Sequence, residues 1–191
     1  VDEIRLADFA AVEPSVDDFV SQPDGHSISL PLVMADPNPF YRDGEFYIYY
    51  LIDTAFHDWY LTKTTDLQQG SFPERVLEAT GDTNTQDQWT GSGSVIEDAQ
   101  GQTHLFFTGH NADFNPVEAV MHAVATDNTL SDFTKVPEDT FTGSNGYSDF
   151  DFRDPKVFWN EATGNYWMLI TTRYNDQAAI GLYTSDNLST W

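Results

Sequence analysis

A repeat of about sixty residues constrains the fold more than any other feature of the sequence. Three glycines in polar turns lie 57 and 63 residues apart, and each precedes a run rich in aromatic and aliphatic residues. Three aspartates that end a later strand-like stretch lie 61 and 59 residues apart. Two independent markers with one period indicate an internal repeat. The glycines are Gly44, Gly101 and Gly164, and the aspartates are Asp66, Asp127 and Asp186.

Each repeat is predicted to be a series of strands. A strand leads into the glycine turn, an apolar strand follows, and a polar loop precedes a third strand. A fourth strand is predicted around Val76 in the first unit and Lys135 in the second. Runs that are apolar on both faces are typical of strands covered by sheets on both sides. The pattern predicts an all-β fold, a β-propeller of four-stranded blades.

The repeats also predict how the chain is organised. We interpret residues 1–30, an acidic segment without clear periodicity, as a leader that wraps the domain, and residues 31–191 as the first blades of a propeller. The third unit reaches Trp191 before its outer strand, so just under three blades are expected here. Because propellers close with about four to eight blades, we expect the remaining blades in another chain or in a longer protein.

Composition excludes several classes of partner. Asp and Glu total 31 against 8 Lys plus Arg, a net charge of −23 that repels nucleic acid and anionic membrane surfaces. Without cysteine there is no disulfide or thiolate nucleophile, and the five histidines lack metal-ligand spacing, so we expect no metal and no cofactor. No apolar run approaches a membrane span. The start at Val1 is compatible with a mature secreted chain, so we predict an extracellular location.

Two Asp-Pro pairs, Asp36-Pro37 and Asp154-Pro155, occupy matching places in the first and third units. Equivalent positions on different propeller blades converge on the central channel, so the two carboxylates are predicted to share one pocket. The proline predicts an extended backbone at each aspartate, at the start of an inner strand. A lone Asp-Pro more often marks a turn, but two in register, one preceded by Arg153, favour chemistry. Paired carboxyl groups are what glycoside cleavage needs: one attacks or stabilises an oxocarbenium-like transition state, and the other protonates the leaving oxygen.

These residues resemble glycoside hydrolase family 32, the invertase, inulinase and levanase group, over about residues 31–191. Residues 35–38 (Ala-Asp-Pro-Asn) are similar to the family's Asn-Asp-Pro-Asn block, with alanine in place of the first asparagine. Residues 89–94 (Trp-Thr-Gly-Ser-Gly-Ser) resemble its Phe-Ser-Gly-Ser block, and residues 105–110 resemble the strand that follows it. Residues 152–155 (Phe-Arg-Asp-Pro) match its Arg-Asp-Pro block, the most specific of the four.

The resemblance implies a retaining hydrolase of β-fructofuranosides such as sucrose, inulin or levan, with a five-bladed propeller in the complete protein. Asp36 is then the catalytic nucleophile, and Asp154 holds sugar hydroxyls and stabilises the transition state. The family's acid/base glutamate belongs to a Glu-Cys-Pro block beyond the third unit, so this chain alone is expected to be inactive. The implied partner is a fructose-containing oligo- or polysaccharide.

Five further residues are predicted to contact the substrate. The resemblance implies that Trp89 and Ser92 line the sugar site, and Asn38 belongs to the nucleophile block. Arg153 can donate to sugar hydroxyls from its planar fork, or form a salt bridge in this acid-rich chain. His57 follows the first apolar strand, near the predicted pocket rim.

Two other functions compete with this interpretation. An inverting arabinan- or xylan-acting propeller of the family 43 type also places aspartates in its first and third blades. A propeller that binds carbohydrate or protein without catalysis would suit a chain that lacks the acid/base glutamate. Release of fructose, as opposed to arabinose or xylose, distinguishes the first function from the second.

Overall fold

The computed structural model describes residues 34–52, 56–67 and 70–191, so the leader predicted for residues 1–30 lies outside the described residues. The described ranges form eleven strands and one short 3-10 turn, Pro137–Asp139. None of the helical structure in them is long and apolar enough to cross a membrane.

The strands form three antiparallel sheets that follow one another along the chain. The first sheet has the order β1-β2-β3-β4, the second β5-β6-β7-β8 and the third β11-β10-β9. The four predicted strands per repeat are therefore confirmed in the first two units. The bounds are β1 Met34–Arg42, β2 Glu45–Ile52, β3 Trp59–Thr64, β4 Glu74–Leu77, β5 Trp89–Glu97, β6 Thr103–His110, β7 Glu118–Ala125, β8 Phe133–Lys135, β9 Tyr147–Asn160, β10 Asn165–Tyr174 and β11 Gln177–Ser185.

Two apolar cores fill the seams between consecutive sheets, and β6 contributes to both. Leu105 and Phe107 belong to the core between the first and second sheets, whereas Phe106 belongs to the core between the second and third. Successive side chains of a strand point to opposite faces, so a strand between two sheets must be apolar at every position. This explains the continuous apolar run in the sequence. Each of these side chains is at most 1% exposed, and full burial of such a group stabilises the fold by about 1.5–3 kcal/mol.

The backbone at both Asp-Pro pairs differs from the prediction. Asp36 has a φ of 55° and Asp154 a φ of 59°, so both are left-handed and the predicted extended backbone is wrong. The pairing register shifts at each position, which identifies a β-bulge in β1 and another in β9. A following proline disfavours right-handed helical backbone, and aspartate tolerates the left-handed region better than most side chains. The bulge therefore decides the conformation.

The start of β9 also differs from the prediction. The inner strand of the third sheet begins at Tyr147, not at Asp154. The neighbouring strand β10 extends to Tyr174, which pairs with Tyr147, and Thr172 pairs with Phe152. The Asp154 bulge thus lies within a long strand, where pairing on both sides holds it.

The second and third sheets are joined by a buried serine. The Ser94 hydroxyl donates to the carbonyl oxygen of Pro155 at 2.8 Å and accepts from the N–H of Val157 at 2.9 Å. Ser94 is fully buried, so both backbone groups depend on it for a hydrogen bond. These bonds fix the segment that follows Asp154.

A chain of polar side chains crosses the outer part of the second sheet. His104 Nδ1 lies 2.8 Å from His122 Nε2, and His122 Nδ1 lies 2.7 Å from an Asp139 carboxylate oxygen. The remaining contact, His104 Nε2 to Asp98, is longer at 3.4 Å. Phe106 stacks on the His122 ring with centroids 4.5 Å apart. Two neutral imidazoles satisfy the short contacts if His104 donates to His122 and His122 donates to Asp139.

Replacing Ser94 by alanine is expected to lower the free energy of unfolding by about 2 kcal/mol, because two buried backbone groups lose their partner. Ser131→Ala is the control, since its hydroxyl bonds only to the exposed Thr129 hydroxyl among the contacts of the structure; a change within about 0.5 kcal/mol is expected there. Urea unfolding of both variants measures the difference. Equal effects would contradict the role assigned to Ser94.

The histidine pair predicts that acid weakens the fold. Burial lowers the pKa of His104 and His122 despite the opposing influence of Asp98 and Asp139. As pH falls below about 6.5, the unfolded chain therefore binds protons that the folded chain does not, and the free energy of unfolding decreases. Urea unfolding at about pH 8 and about pH 5.5 measures this change. A double His104→Asn, His122→Asn variant should show a smaller dependence, and a wild-type protein equally stable at both pH values would contradict the assignment.

Candidate active site

Three inner strands bulge at equivalent positions and bring three polar residues to one end of the sheets. The register of β5 shifts between Gly91 and Gly93, which leaves Ser92 as the residue of the bulge. Ser92 is thus the second-sheet counterpart of Asp36 and Asp154. Its hydroxyl donates to the Asp36 carboxylate, which joins the first sheet to the second.

Thr108 extends this connection to the third sheet. Its hydroxyl donates to the carbonyl oxygen of Ser92 at 3.0 Å and accepts from the N–H of Asp154 at 2.9 Å. Thr108 is 3% exposed, so water does not compete for these bonds. A path of hydrogen bonds therefore runs from the Asp36 carboxylate to the Asp154 backbone across all three sheets.

A cleft of about 450 Å³ opens beside these bulges. Four of the residues predicted from sequence to form the site line it, and they are Asp154, Arg153, Trp89 and His57. Asp36 and Ser92 do not line this cleft; they are connected to it by their own hydrogen bond and by the bonds from Ser92 through Thr108 to Asp154. Asn38 does not line it; its amide lies 3.4 Å from the Asp36 carbonyl oxygen, where it supports the bulge of β1.

Trp89 and His57 form one wall of the cleft. Their rings meet edge to face with centroids 5.5 Å apart, and Phe56 packs on the same indole at 5.4 Å. The loop that carries Phe56 and His57 is held by Thr90, whose N–H donates to the Phe56 carbonyl at 3.2 Å and whose hydroxyl donates to the His57 carbonyl. The wall presents aromatic rings beside the polar side chains of Arg153 and Asp154, which line the same cleft.

The Asp154 carboxyl has an unusual electrostatic environment. Asp154 lines the cleft and remains exposed to solvent, yet the surrounding protein groups remove part of its water, and this partial desolvation raises its pKa. The negative charges of Asp36 and Glu118 raise the pKa further, whereas Arg153 and a hydrogen bond from Thr171 oppose them. The Asp36 carboxylate is therefore close enough to act on Asp154 through its charge.

The Arg153 guanidinium takes part in ion pairs. Its Nε lies 2.9 and 2.8 Å from the two carboxylate oxygens of Glu118, and its Nη2 donates to Asp151. Asp151 pairs in turn with Arg173 on β10. The salt-bridge alternative for Arg153 is therefore present, although the residue also lines the cleft. Donation to sugar hydroxyls stays a prediction.

Glu118 and Thr108 were missed by sequence reasoning. Glu118 is the only acidic residue in the apolar strand β7, which is the one sequence signal that singles it out. Its carboxylate is buried, lines the cleft, and also lies 3.5 Å from Nδ1 of His110. Thr108 has no such signal, because one threonine in an apolar strand is ordinary.

No metal centre is found in the part of the chain that the structure describes. No group of three or more His, Asp or Glu side chains among those residues could hold an ion. The cleft combines the carboxylates of Asp154 and Glu118 with the Arg153 guanidinium and an aromatic wall, groups that can hydrogen-bond to and pack on a hydroxyl-rich ligand.

Comparison with known proteins finds similarity to one family of glycosyl hydrolases and to a plant β-fructofuranosidase. A model of the N-terminal domain of glycosyl hydrolases family 32 matches residues 29–191. The insoluble isoenzyme 3 of β-fructofuranosidase from rice (Oryza sativa) is 24% identical over 189 residues, covering 89% of this chain and 29% of the rice protein. The chain therefore spans under a third of the length of that relative.

Solved structures share the fold at low identity. The fructan 1-exohydrolase IIa of Cichorium intybus, in complex with 1-kestose, superposes with a TM-score of 0.67 at 18% identity, over 86% of this chain and 32% of that protein. A β-fructofuranosidase of Bombyx mori gives a TM-score of 0.61 at 24% identity, over 83% of this chain and 34% of that protein. These likenesses confirm the predicted all-β propeller fold.

The electrostatic coupling between the carboxylates predicts a pKa change. Asp36→Asn removes a negative charge that raises the pKa of Asp154, so that pKa should fall towards the usual aspartate value of about 3.9. Carboxyl carbon-13 NMR titration of Asp154 measures it. Asp43→Asn is the matched control, because that carboxylate is exposed at the opposite end of β1. An Asp154 pKa that is identical in both variants would show that the carboxylates do not share a pocket.

Proposed function

The chain belongs to glycosyl hydrolase family 32, and on that premise we propose that it supplies the nucleophile and the transition-state-stabilising carboxylate of an enzyme that hydrolyses β-fructofuranosides. The observation that supports the proposal is the pair of Asp-Pro bulges at equivalent positions of the first and third sheets, with Asp36 near enough for its charge to raise the pKa of Asp154. We propose substrates of the sucrose, inulin or levan type because the similar proteins include a β-fructofuranosidase and a fructan exohydrolase.

In the proposed reaction Asp36 is the nucleophile. Its carboxylate attacks the anomeric carbon of a fructofuranosyl unit, the glycosidic C–O bond breaks, and a protonated acid delivers its proton to the leaving oxygen. Water then gives a proton to the conjugate base of that acid and attacks the covalent fructosyl-enzyme, which releases fructose with retained configuration and restores both the acid and the Asp36 carboxylate. The Ser92 hydroxyl holds Asp36 in one orientation by donating to its second oxygen. By resemblance to the family, the acid is a glutamate outside this chain.

Asp154 is proposed to stabilise the transition state. An ionised carboxylate accepts hydrogen bonds from sugar hydroxyls and opposes the positive charge that develops on the ring. Its backbone is fixed by Thr108, so little reorganisation is needed when the sugar binds. Trp89 and His57 are placed to contact the ring, and Arg153 keeps its role as a hydroxyl donor in the proposal.

Family membership favours this function over the alternatives. An arabinan- or xylan-acting enzyme of the family 43 type would require pentose release from the same pocket. A propeller that only binds carbohydrate would have no need of two carboxylates in electrostatic contact. The remaining blades of the propeller, in a longer protein or a second chain, and an extracellular location are part of the proposal.

Asp36→Asn in the intact protein should reduce fructose release from sucrose, inulin or levan by roughly 10³-fold or more, because an amide is a poor nucleophile. The measurement is fructose released per enzyme under saturating substrate. Asp43→Asn, an exposed aspartate on the same sheet, should retain wild-type activity. If Asp36→Asn releases fructose at the wild-type rate, Asp36 is not the nucleophile. If arabinose or xylose is the product, the family 43 alternative replaces this proposal.

A further inference from the structure

We propose that Glu118 is a positioning residue of this active site: it holds the backbone beside Asp154 and balances the charge of Arg153. The inference deepens the proposed function and rests on it for the catalytic consequence. The geometry on which it stands does not depend on that function.

The contacts of Glu118 converge on the residues immediately before Asp154. One carboxylate oxygen accepts from the N–H of Phe152 at 2.9 Å, and both oxygens lie within 2.9 Å of Arg153 Nε. Glu118 lies on β7 of the second sheet, whereas these partners lie on β9 of the third. The carboxylate therefore links the second sheet to the third, and its contacts lie on the two residues that precede the bulge at Asp154.

A carboxylate is the group that this position needs. Phe152 is fully buried, so its N–H must find an acceptor inside the protein. Arg153 brings a positive charge into the same space, and burial of a charge is costly unless it is paired. Glu118 is 6% exposed and satisfies both demands with one side chain. An amide has only one acceptor oxygen and no charge, so glutamine at this position can meet one demand at most.

Glu118 also determines how strongly Arg153 acts on Asp154. The guanidinium is shared between Glu118 and Asp151, and Asp151 is shared with Arg173. With Glu118 neutral, more of the positive charge of Arg153 would act on the Asp154 carboxylate. The direct repulsion between Glu118 and Asp154 would be lost at the same time.

Both changes stabilise the ionised form of Asp154, so both lower its pKa. We therefore expect the pKa of Asp154 to be lower in a Glu118 variant than in the wild-type protein. Among the residues that the structure describes, the charged and titratable side chains around Asp154 are Asp36 on β1, His57 in the β2–β3 loop, His110 at the end of β6, Glu118 on β7, and Asp151 and Arg153 on β9.

His110 is a second cleft-lining neighbour of Glu118. It pairs with Glu118 across β6 and β7, and its Nδ1 lies 3.5 Å from the carboxylate. Its ring lines the cleft. Glu118 thus orients cleft-lining groups on two sheets, although its own oxygens are directed at protein donors.

The test compares Glu118→Gln and Glu118→Ala with wild type in the intact protein. Misplacement of a reacting group by about 1 Å costs roughly 10²-fold in rate, so Glu118→Ala should lower kcat by about that factor with a smaller change in KM. Glu118→Gln keeps the volume and one acceptor, and should lose less. In both variants the acid limb of the pH–rate profile should move to lower pH, because the pKa of Asp154 falls.

Glu97→Gln is the matched control. Glu97 forms the corresponding ion pair with an arginine, Arg42, at 3.3 Å, but at the other end of the inner strands. Its variant loses the same charge, and should keep the wild-type kcat and pH profile. A loss of activity equal to that of Glu118→Gln would attribute the effect to net charge alone and overturn the proposal.

A second measurement separates this inference from the proposed function. NMR titration of Asp154 in wild type and Glu118→Gln reports the pKa whether or not a fructoside is hydrolysed. A wild-type protein without fructose release, but with a lower Asp154 pKa in Glu118→Gln, refutes the function and supports the positioning role. Unchanged Asp154 titration, or unchanged kcat and pH profile in both folded Glu118 variants, refutes the positioning role.

Discussion

The hydrogen-bonded path through Thr108 is the interaction on which the site depends. One hydroxyl, donated to Ser92 and accepting from Asp154, fixes the distance between bulges that belong to different sheets. The apolar cores favour contact between the sheets. They do not determine how far one sheet is shifted along the strands of its neighbour, because hydrophobic contact is not directional. Hydrogen bonds from Thr108 and Ser94, which are directional, fix this relative position of the sheets. Thr108 fixes the Asp154 backbone and the Ser92 hydroxyl orients the Asp36 carboxylate, so the bonds that align the sheets also position both residues.

Charge is distributed unevenly over this protein. With 31 acidic and 8 basic side chains, most carboxylates have no cation to pair with. Yet two arginines, Arg153 and Arg173, bracket the single carboxylate of Asp151 beside the cleft, and Glu118 completes the cluster. Two of the eight basic residues are therefore paired beside the cleft, where positive charge offsets the repulsion among neighbouring carboxylates.

Features that depend on local sequence patterns were predicted from the sequence. The period of about sixty residues predicted the sheets. That the two Asp-Pro pairs share a pocket stays a prediction, since Asp154 lines the cleft and Asp36 is connected to it through Ser92. Sequence reasoning was wrong about the backbone of Asp36 and Asp154, because a bulge is decided by pairing with a neighbouring strand and the proline rule describes only the local chain. It missed Thr108 and Glu118 for the same reason. Their importance lies in partners that are 16 to 46 residues away, which no local pattern records.

The strand β6 has a consequence for how the protein comes apart. Its successive side chains are shared between two seams, so neither seam can open without exposing one face of the same strand. Separation of the sheets at either interface would therefore expose apolar side chains of β6 to water, which makes partial opening costly at both. Thr108 lies on this strand and lines the cleft, so such opening would also disturb the site.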